Sequence, residues 1–248
     1  MKMQTLIPAA AVVVAALAAT SAAATGEDVS QTAALNWHAQ SGKEGPVGEG
    51  AEATLVRSAT GVSYEITSTG LVAGNAYTVW FVVINDPAAC TDTPCAPPEF
   101  LADPAPDAQV TWGLAGQVAA GDGTAHFSAE IPAGPLLDGW LAVQGLDDPM
   151  AAEVHLVIHD HGPVVAELEA EMLSTYRAGC ADTSPFPEIF PPTALADGTP
   201  GPNNCLLYQS AVFTTPAERS NQGGPSKGRF PPCRRGRRPE ARRRPRTP

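Results

Sequence analysis

Ala76-Tyr-Thr-Val-Trp-Phe-Val-Val-Ile84 is the longest uncharged apolar run outside the N-terminal segment. In an extended chain successive side chains point to opposite faces. Tyr77, Val79, Phe81 and Val83 therefore share one face, and Trp80, Val82 and Ile84 the other. β-branched and aromatic residues dominate the run, which favours strand over helix. Apolar groups on both faces predict a central strand covered on both sides. Asn85-Asp86-Pro87 ends it, and Cys90 and Cys95 follow at once.

The neighbouring segments read as further strands. In residues 61–67, Val62, Tyr64 and Ile66 alternate with Ser63, Glu65 and Thr67, the pattern of a sheet with one solvated face. Residues 52–57, 140–144 and 206–214 read as further strands, 109–113 and 116–120 as two weak strands, and 124–131 as a stronger one in which Phe127, Ala129 and Ile131 alternate with His126, Ser128 and Glu130. In residues 152–159, Val154, Leu156 and Ile158 form a core face against Glu153, His155, Val157 and His159, and 160–163 read as a turn. Residues 164–177 place Val164, Leu168, Met172 and Tyr176 four apart in an Ala/Leu/Glu/Met-rich context, which predicts a short helix. Residues 86–108 and 180–204 read as long loops rich in Pro. The fold class is all-β: an Ig-like antiparallel β-sandwich of roughly seven to ten strands, with long disulfide-pinned loops and one short helix.

Residues 1–24 read as a signal peptide: Lys2, an apolar stretch over 6–19 and the small residues Ala22-Ala23-Ala24. No later segment has the ~18 continuous apolar residues of a membrane span. Residues 25–216 are one domain's worth of chain. The expected location is secreted or periplasmic.

Charge divides the chain. Between residues 25 and 217 the cations are Lys43, Arg57 and Arg177, against 24 Asp and Glu. So acidic a body repels nucleic acid and anionic membrane. Residues 217–248 are Arg- and Pro-rich, too poor in apolar residues to fold, and contain the odd Cys233. They read either as a polybasic anchor for an anionic polymer or as a non-native extension.

Cys90, Cys95, Cys180 and Cys205 allow three pairings. Short loop closure favours Cys90–Cys95 and Cys180–Cys205. No Cys-x-x-Cys occurs, so disulfides are expected rather than a thiolate zinc site.

The candidate metal ligands are His155, His159 and His161. A His-x-His spacing on a strand aims both rings of His159 and His161 the same way, about 7 Å apart, whereas His155 and His161 would be about 20 Å apart. Copper or zinc is the corresponding cofactor, with a third ligand still needed. In the alternative reading these are surface or turn histidines. Asp86, Asp92, Asp103, Asp107, Asp147 and Asp148 offer oxygen ligands for calcium, without EF-hand spacing. No nucleophile elbow, zinc-protease helix motif or phosphate loop occurs, so no catalytic residue is named. Trp37, Trp112 and Trp140 are the residues for a sugar-stacking platform.

Tyr77-Thr-Val-Trp-Phe-Val-Val-Ile-Asn-Asp-Pro-Ala-Ala-Cys90, Ala152-Glu-Val-His-Leu-Val-Ile-His-Asp-His-Gly-Pro163 and the pair Cys180 and Cys205 resemble a group of secreted bacterial proteins, common in marine organisms, without a characterised activity. Gly70-Leu-Val-Ala-Gly74 before a strand, with the His-bearing strand, is loosely similar to CHRD-type β-sandwich domains. The resemblance implies the fold and the location, and no catalytic residue. The function expected is an exported binding or structural module for an extracellular ligand, with a copper- or zinc-binding protein as the alternative.

Overall fold

A computed structural model describes residues 27–136, 139–141, 145–181, 183 and 200–216. Residues 1–24, read as a signal peptide above, residues 217–248 with Cys233, and most of the loop closed by Cys180 and Cys205 lie outside the described residues, as do the side chains of Trp112 and Trp140. The strands are β1 (Val29–Ala34), β2 (Asn36–Trp37), β3 (Glu52–Ser58), β4 (Gly61–Ser68), β5 (Asn75–Ile84), β6 (Ala108–Val118), β7 (Ala125–Pro132), β8 (Gly134–Pro135), β9 (Trp140–Leu141), β10 (Gly145–Leu146), β11 (Glu153–Pro163) and β12 (Leu206–Phe213). The α-helices are α1 (Pro97–Ala102) and the single turn α2 (Glu169–Met172).

The strands form an antiparallel β-sandwich. The smaller sheet has the order β1-β3-β4-β7, and the larger has β2-β12-β11-β5-β6-β9; β8 and β10 make a separate two-stranded ribbon. The decisive apolar run is β5. It lies between β11 and β6 in the larger sheet, and all ten of its residues are buried. Tyr77, Val79, Phe81 and Val83 pack inward with Tyr64, Ile66 and Phe127 of the smaller sheet. Trp80, Val82 and Ile84 pack outward into a second cluster with Phe100, Val110 and Leu207. Each such side chain removed from water contributes about 1.5–3 kcal/mol, so a strand apolar on both faces holds two layers to itself.

Polar side chains tie the two sheets at their ends. Ser68 of β4 donates to Gln209 of β12 at 2.8 Å, and Gln209 Nε2 donates to the Thr69 carbonyl at 2.8 Å. Towards the other end, the fully buried Arg57 of β3 donates to Gln31 Oε1 at 2.7 Å, to the carbonyls of Pro149 and Ala152 at 2.7 and 2.8 Å, and to that of Phe213 at 3.3 Å. Burial pushes its guanidinium down to about 10, partly offset by Asp148, so it is a cation at neutral pH. A planar fork with five donors suits three separate chain segments in a way that one ammonium does not.

Three expectations need correction. Residues 109–113 and 116–120 are one strand, β6, whose pairing with β5 shifts register between Thr78 and Trp80. Residues 164–177 do hold the expected short helix, as a 3-10 turn (Ala166–Leu168) running into α2, with Met172 and Ala178 packed on Ala76 at the start of β5, but residues 86–108 are not all loop. The better helix is α1, inside the loop 86–108. Glu99 builds it by accepting the Ala96 amide at 3.0 Å and the Thr91 amide at 2.7 Å. Residues 160–163 are strand rather than turn. Gly162 (φ +78°) lets β11 continue past a bulge, and Asn203 straps across it, donating to the carbonyls of His161 and Pro163 at 2.8 Å each.

Both disulfides form as expected: Cys90–Cys95 and Cys180–Cys205. Among the described residues no helix is long and apolar enough to cross a membrane.

Arg57→Met should lower unfolding free energy by about 3 kcal/mol, because it leaves buried carbonyls unsatisfied. Arg57→Lys should recover only part of this. Urea unfolding checks both, and a loss within about 0.5 kcal/mol for the Met variant would remove Arg57 from its structural role.

Candidate functional site

The outward row of β11 carries Glu153, His155, Val157, His159 and His161, opposite β5's own outward row of Ile84, Val82, Trp80 and Thr78. Such a row would meet water on a bare sheet. Here two walls cover it. One is the loop of Cys90–Cys95 and α1; the other is a 3-10 turn (Ala39–Ser41) beside β12. Between them lies a groove of about 610 Å³, floored by Trp80, Val82, Val110 and Val157 and walled by Phe100 and Leu207. Its size is within the ~300–1,000 Å³ usual for small-molecule sites.

The walls are fixed by specific bonds. His38 Nδ1 accepts the Gln40 amide at 3.2 Å, and Gln40 Oε1 accepts the Leu207 amide at 2.8 Å, which docks the 3-10 turn on β12. Across the groove, Glu153 Oε1 accepts the Cys95 amide at 2.8 Å and bonds His155 Nε2 at 2.7 Å. Glu153 is 2% exposed and His155 7%. The His155 ring meets Phe100 edge to face, with centroids 5.7 Å apart. One carboxylate thus pins the disulfide loop and orients the imidazole that lines the groove.

His159 and His161 lie further along β11. His155 is four residues before His159, roughly 13 Å along a strand, and belongs to the groove rather than to the pair. The rings of His159 and His161 are 4.3 Å apart, with Nδ1 of His159 3.1 Å from Nε2 of His161. His161 Nδ1 faces the Ala178 carbonyl at 2.7 Å and so carries the proton. Its Nε2 therefore accepts, with the Thr78 hydroxyl at 2.7 Å. His159 also rests against Trp80, centroids 4.9 Å apart, so the groove floor backs onto the pair. Both rings are fully buried, which corrects the surface or turn reading.

The only group of three or more metal-ligating side chains among the described residues is His159 with the sulfurs of Cys180 and Cys205, all within 4.8 Å. Those sulfurs are joined in the disulfide and offer no thiolate. The six aspartates considered for calcium do not converge among the described residues. Asp160, on the inward face, is held by Asn75, Tyr77 and the Gly162 amide. Trp37 is half-buried edge to face against Tyr208, with Lys43 over its ring at 3.8 Å, and is not part of a flat exposed platform.

A second depression, of about 540 Å³ over β3, β4 and β7, is lined by Asp28, Ser58, Thr60, Ser63 and Glu130 among others. It has no aromatic floor and no histidine, cysteine or cation beside its carboxylates, so the groove is the better site.

The groove was missed in the sequence, but one signal pointed to it. Trp80, Val82 and Ile84 demanded a cover on the outer face, and Glu153 and His155 pair with Ile84 and Val82 across the strands. Polar residues beside a covered apolar row are themselves covered. Comparison of this chain with family models, curated proteins and solved structures finds no match to any of the three.

Burial holds His161 down to about 4, despite its bond to Ala178. It lowers His159 well below the ordinary value, helped by the nearby His161 and Arg177. A base depressed in the folded state is protonated first in the unfolded chain. The stability it contributes is therefore full above about 6.5 and lost as pH falls from there to about 4. Asp160, raised by burial, acts in the opposite sense, its contribution being lost as pH rises. The metal-free protein should lose on the order of 3 kcal/mol over this acid window, and His161→Gln should flatten the slope. Urea titrations at a series of pH values measure it; an unchanged slope in the variant would reject the assignment.

Proposed function

We propose that this chain is an exported binding module whose groove, on the outer face of the larger sheet, holds a small, largely apolar ligand. The observation that carries the reading is the groove itself: an aromatic and aliphatic floor, two pinned walls and a single oriented His155–Glu153 pair. The disulfides favour an oxidising compartment, which supports export. Membership of the secreted bacterial β-sandwich group that the sequence resembles is part of the same proposal. Among the described residues His155 is hydrogen-bonded to Glu153 and to no nucleophile, which favours binding over hydrolysis.

An environment-sensitive apolar dye should bind the full chain with one site and micromolar affinity, and Val157→Arg should abolish it without lowering stability. Val157 lies on the floor and is half-exposed, so an arginine there can block the groove and still reach water. Dye binding that survives Val157→Arg would place the site elsewhere.

A metal-binding reading has one observation behind it: two imidazole nitrogens at 3.1 Å, with two sulfurs near His159. Under this reading zinc or copper would bind only after a dithiol has reduced Cys180–Cys205, itself becoming a disulfide, and freed two thiols whose protons pass to solvent as their sulfurs ligate the metal. Metal analysis of oxidised and reduced protein, with His159→Ala as control, tests it. Equal and negligible metal in both forms removes it.

A further inference from the structure

Resting on that reading, we infer that the groove selects uncharged apolar molecules carrying one hydrogen-bond donor, which Nδ1 of His155 receives. Glu153 Oε1 already accepts the Cys95 amide, which places His155 Nε2, 2.7 Å from the same oxygen, to supply the proton between them. In the tautomer with that proton on Nε2, the ring's acceptor is Nδ1. No hydrogen bond joins Nδ1 to a described residue, and it is not among the sealed polar atoms that lack one, so it opens on the groove. A ligand hydroxyl or N–H reaching it finds a preset acceptor.

Charge narrows the class further. Among the described residues no lysine or arginine lines the groove. A carboxylate or phosphate entering it would give up its hydration without a cationic partner. It would also sit near the Glu153 carboxylate, in a body whose residues 25–217 hold three cations against 24 acidic groups. Apart from His38, Gln40 and Ser210, the remaining lining is Trp80, Phe100, prolines, Cys95 and aliphatic side chains, which suits a flat ring system of two or three rings.

A matched ligand series tests this on the full chain by calorimetry at neutral pH: 2-naphthol, 2-methoxynaphthalene, 2-naphthoate and 2-naphthylmethylammonium. The naphthol should bind about tenfold more tightly than its methyl ether, the gain of one hydrogen bond, and the carboxylate more weakly than both. His155→Phe should bring the naphthol down to the ether and leave the ether's affinity in place. Equal affinity of naphthol and ether in the unaltered protein overturns the inference while leaving the groove a binding site. Tightest binding by the ammonium also overturns it, since selectivity would then come from the acidic field. Binding by none of the four rejects the binding-module reading itself. Circular dichroism establishes that His155→Phe is folded, and if it is not, the series on the unaltered protein decides.

Discussion

Burial of both faces of β5 is the constraint on which this structure depends. A strand with apolar side chains on one face needs one partner layer; β5 needs two. The smaller sheet supplies the inner layer through Tyr64, Ile66 and Phe127. Among the described residues no sheet covers the outer face. The outer layer is assembled from α1, the Cys90–Cys95 loop, the turn before residue 42 and the segment running to Cys180. Loops can cover an apolar face only if their own backbone is satisfied, and here Glu99 and Glu153 take up amides of the Cys90–Cys95 loop, while Gln40 and Asn203 dock their segments on the backbone of β12 and β11. Disulfides limit the freedom those loops would otherwise have in the unfolded chain.

A cover made of loops fits less closely than a sheet. Where α1 and the 3-10 turn fail to meet over Trp80 and Val157, the groove is left. The proposed binding site is thus the residue of a packing problem, and its polar anchor comes from the same pin that holds the lid. Glu153 serves both ends: it ties the disulfide loop to β11 and fixes which nitrogen His155 presents. Further along, the same covered row becomes sealed rather than open, and His159 and His161 satisfy each other, Thr78 and the Ala178 carbonyl inside it.

The sheets are held in register by groups that look unremarkable in a list of residues. Arg57 is one of three cations in residues 25–217, and it is spent on neutral carbonyls inside the sandwich rather than on any of the many surface carboxylates. Ser68 and Gln209 do the same work near the opposite end. Between these ties the interior is apolar, so the polar links set the relative position of the sheets without interrupting the core.

Much of the frame was legible in the sequence because it rests on local pattern. The run 76–84 declared a two-faced strand, the alternation in 61–67 a one-faced one, and the spacing of Cys90 with Cys95 and Cys180 with Cys205 the two loops that would close. The short helix in 164–177 was legible in the spacing of Val164, Leu168, Met172 and Tyr176, though it is one α-turn with a 3-10 lead-in, while α1 in 86–108 was hidden among prolines. The candidate site was legible only in part. His159-x-His161 did aim two rings at one place, but whether those rings would be wet or sealed is decided by Ala178, Thr78 and a disulfide 20 to 45 residues away in sequence. The sequence by itself therefore determined an acidic, disulfide-closed, antiparallel β chain built on 76–84. Only the tertiary structure decided which face of β11 is covered, because cover depends on which distant loops pack over it, and period-two patterning carries no record of that.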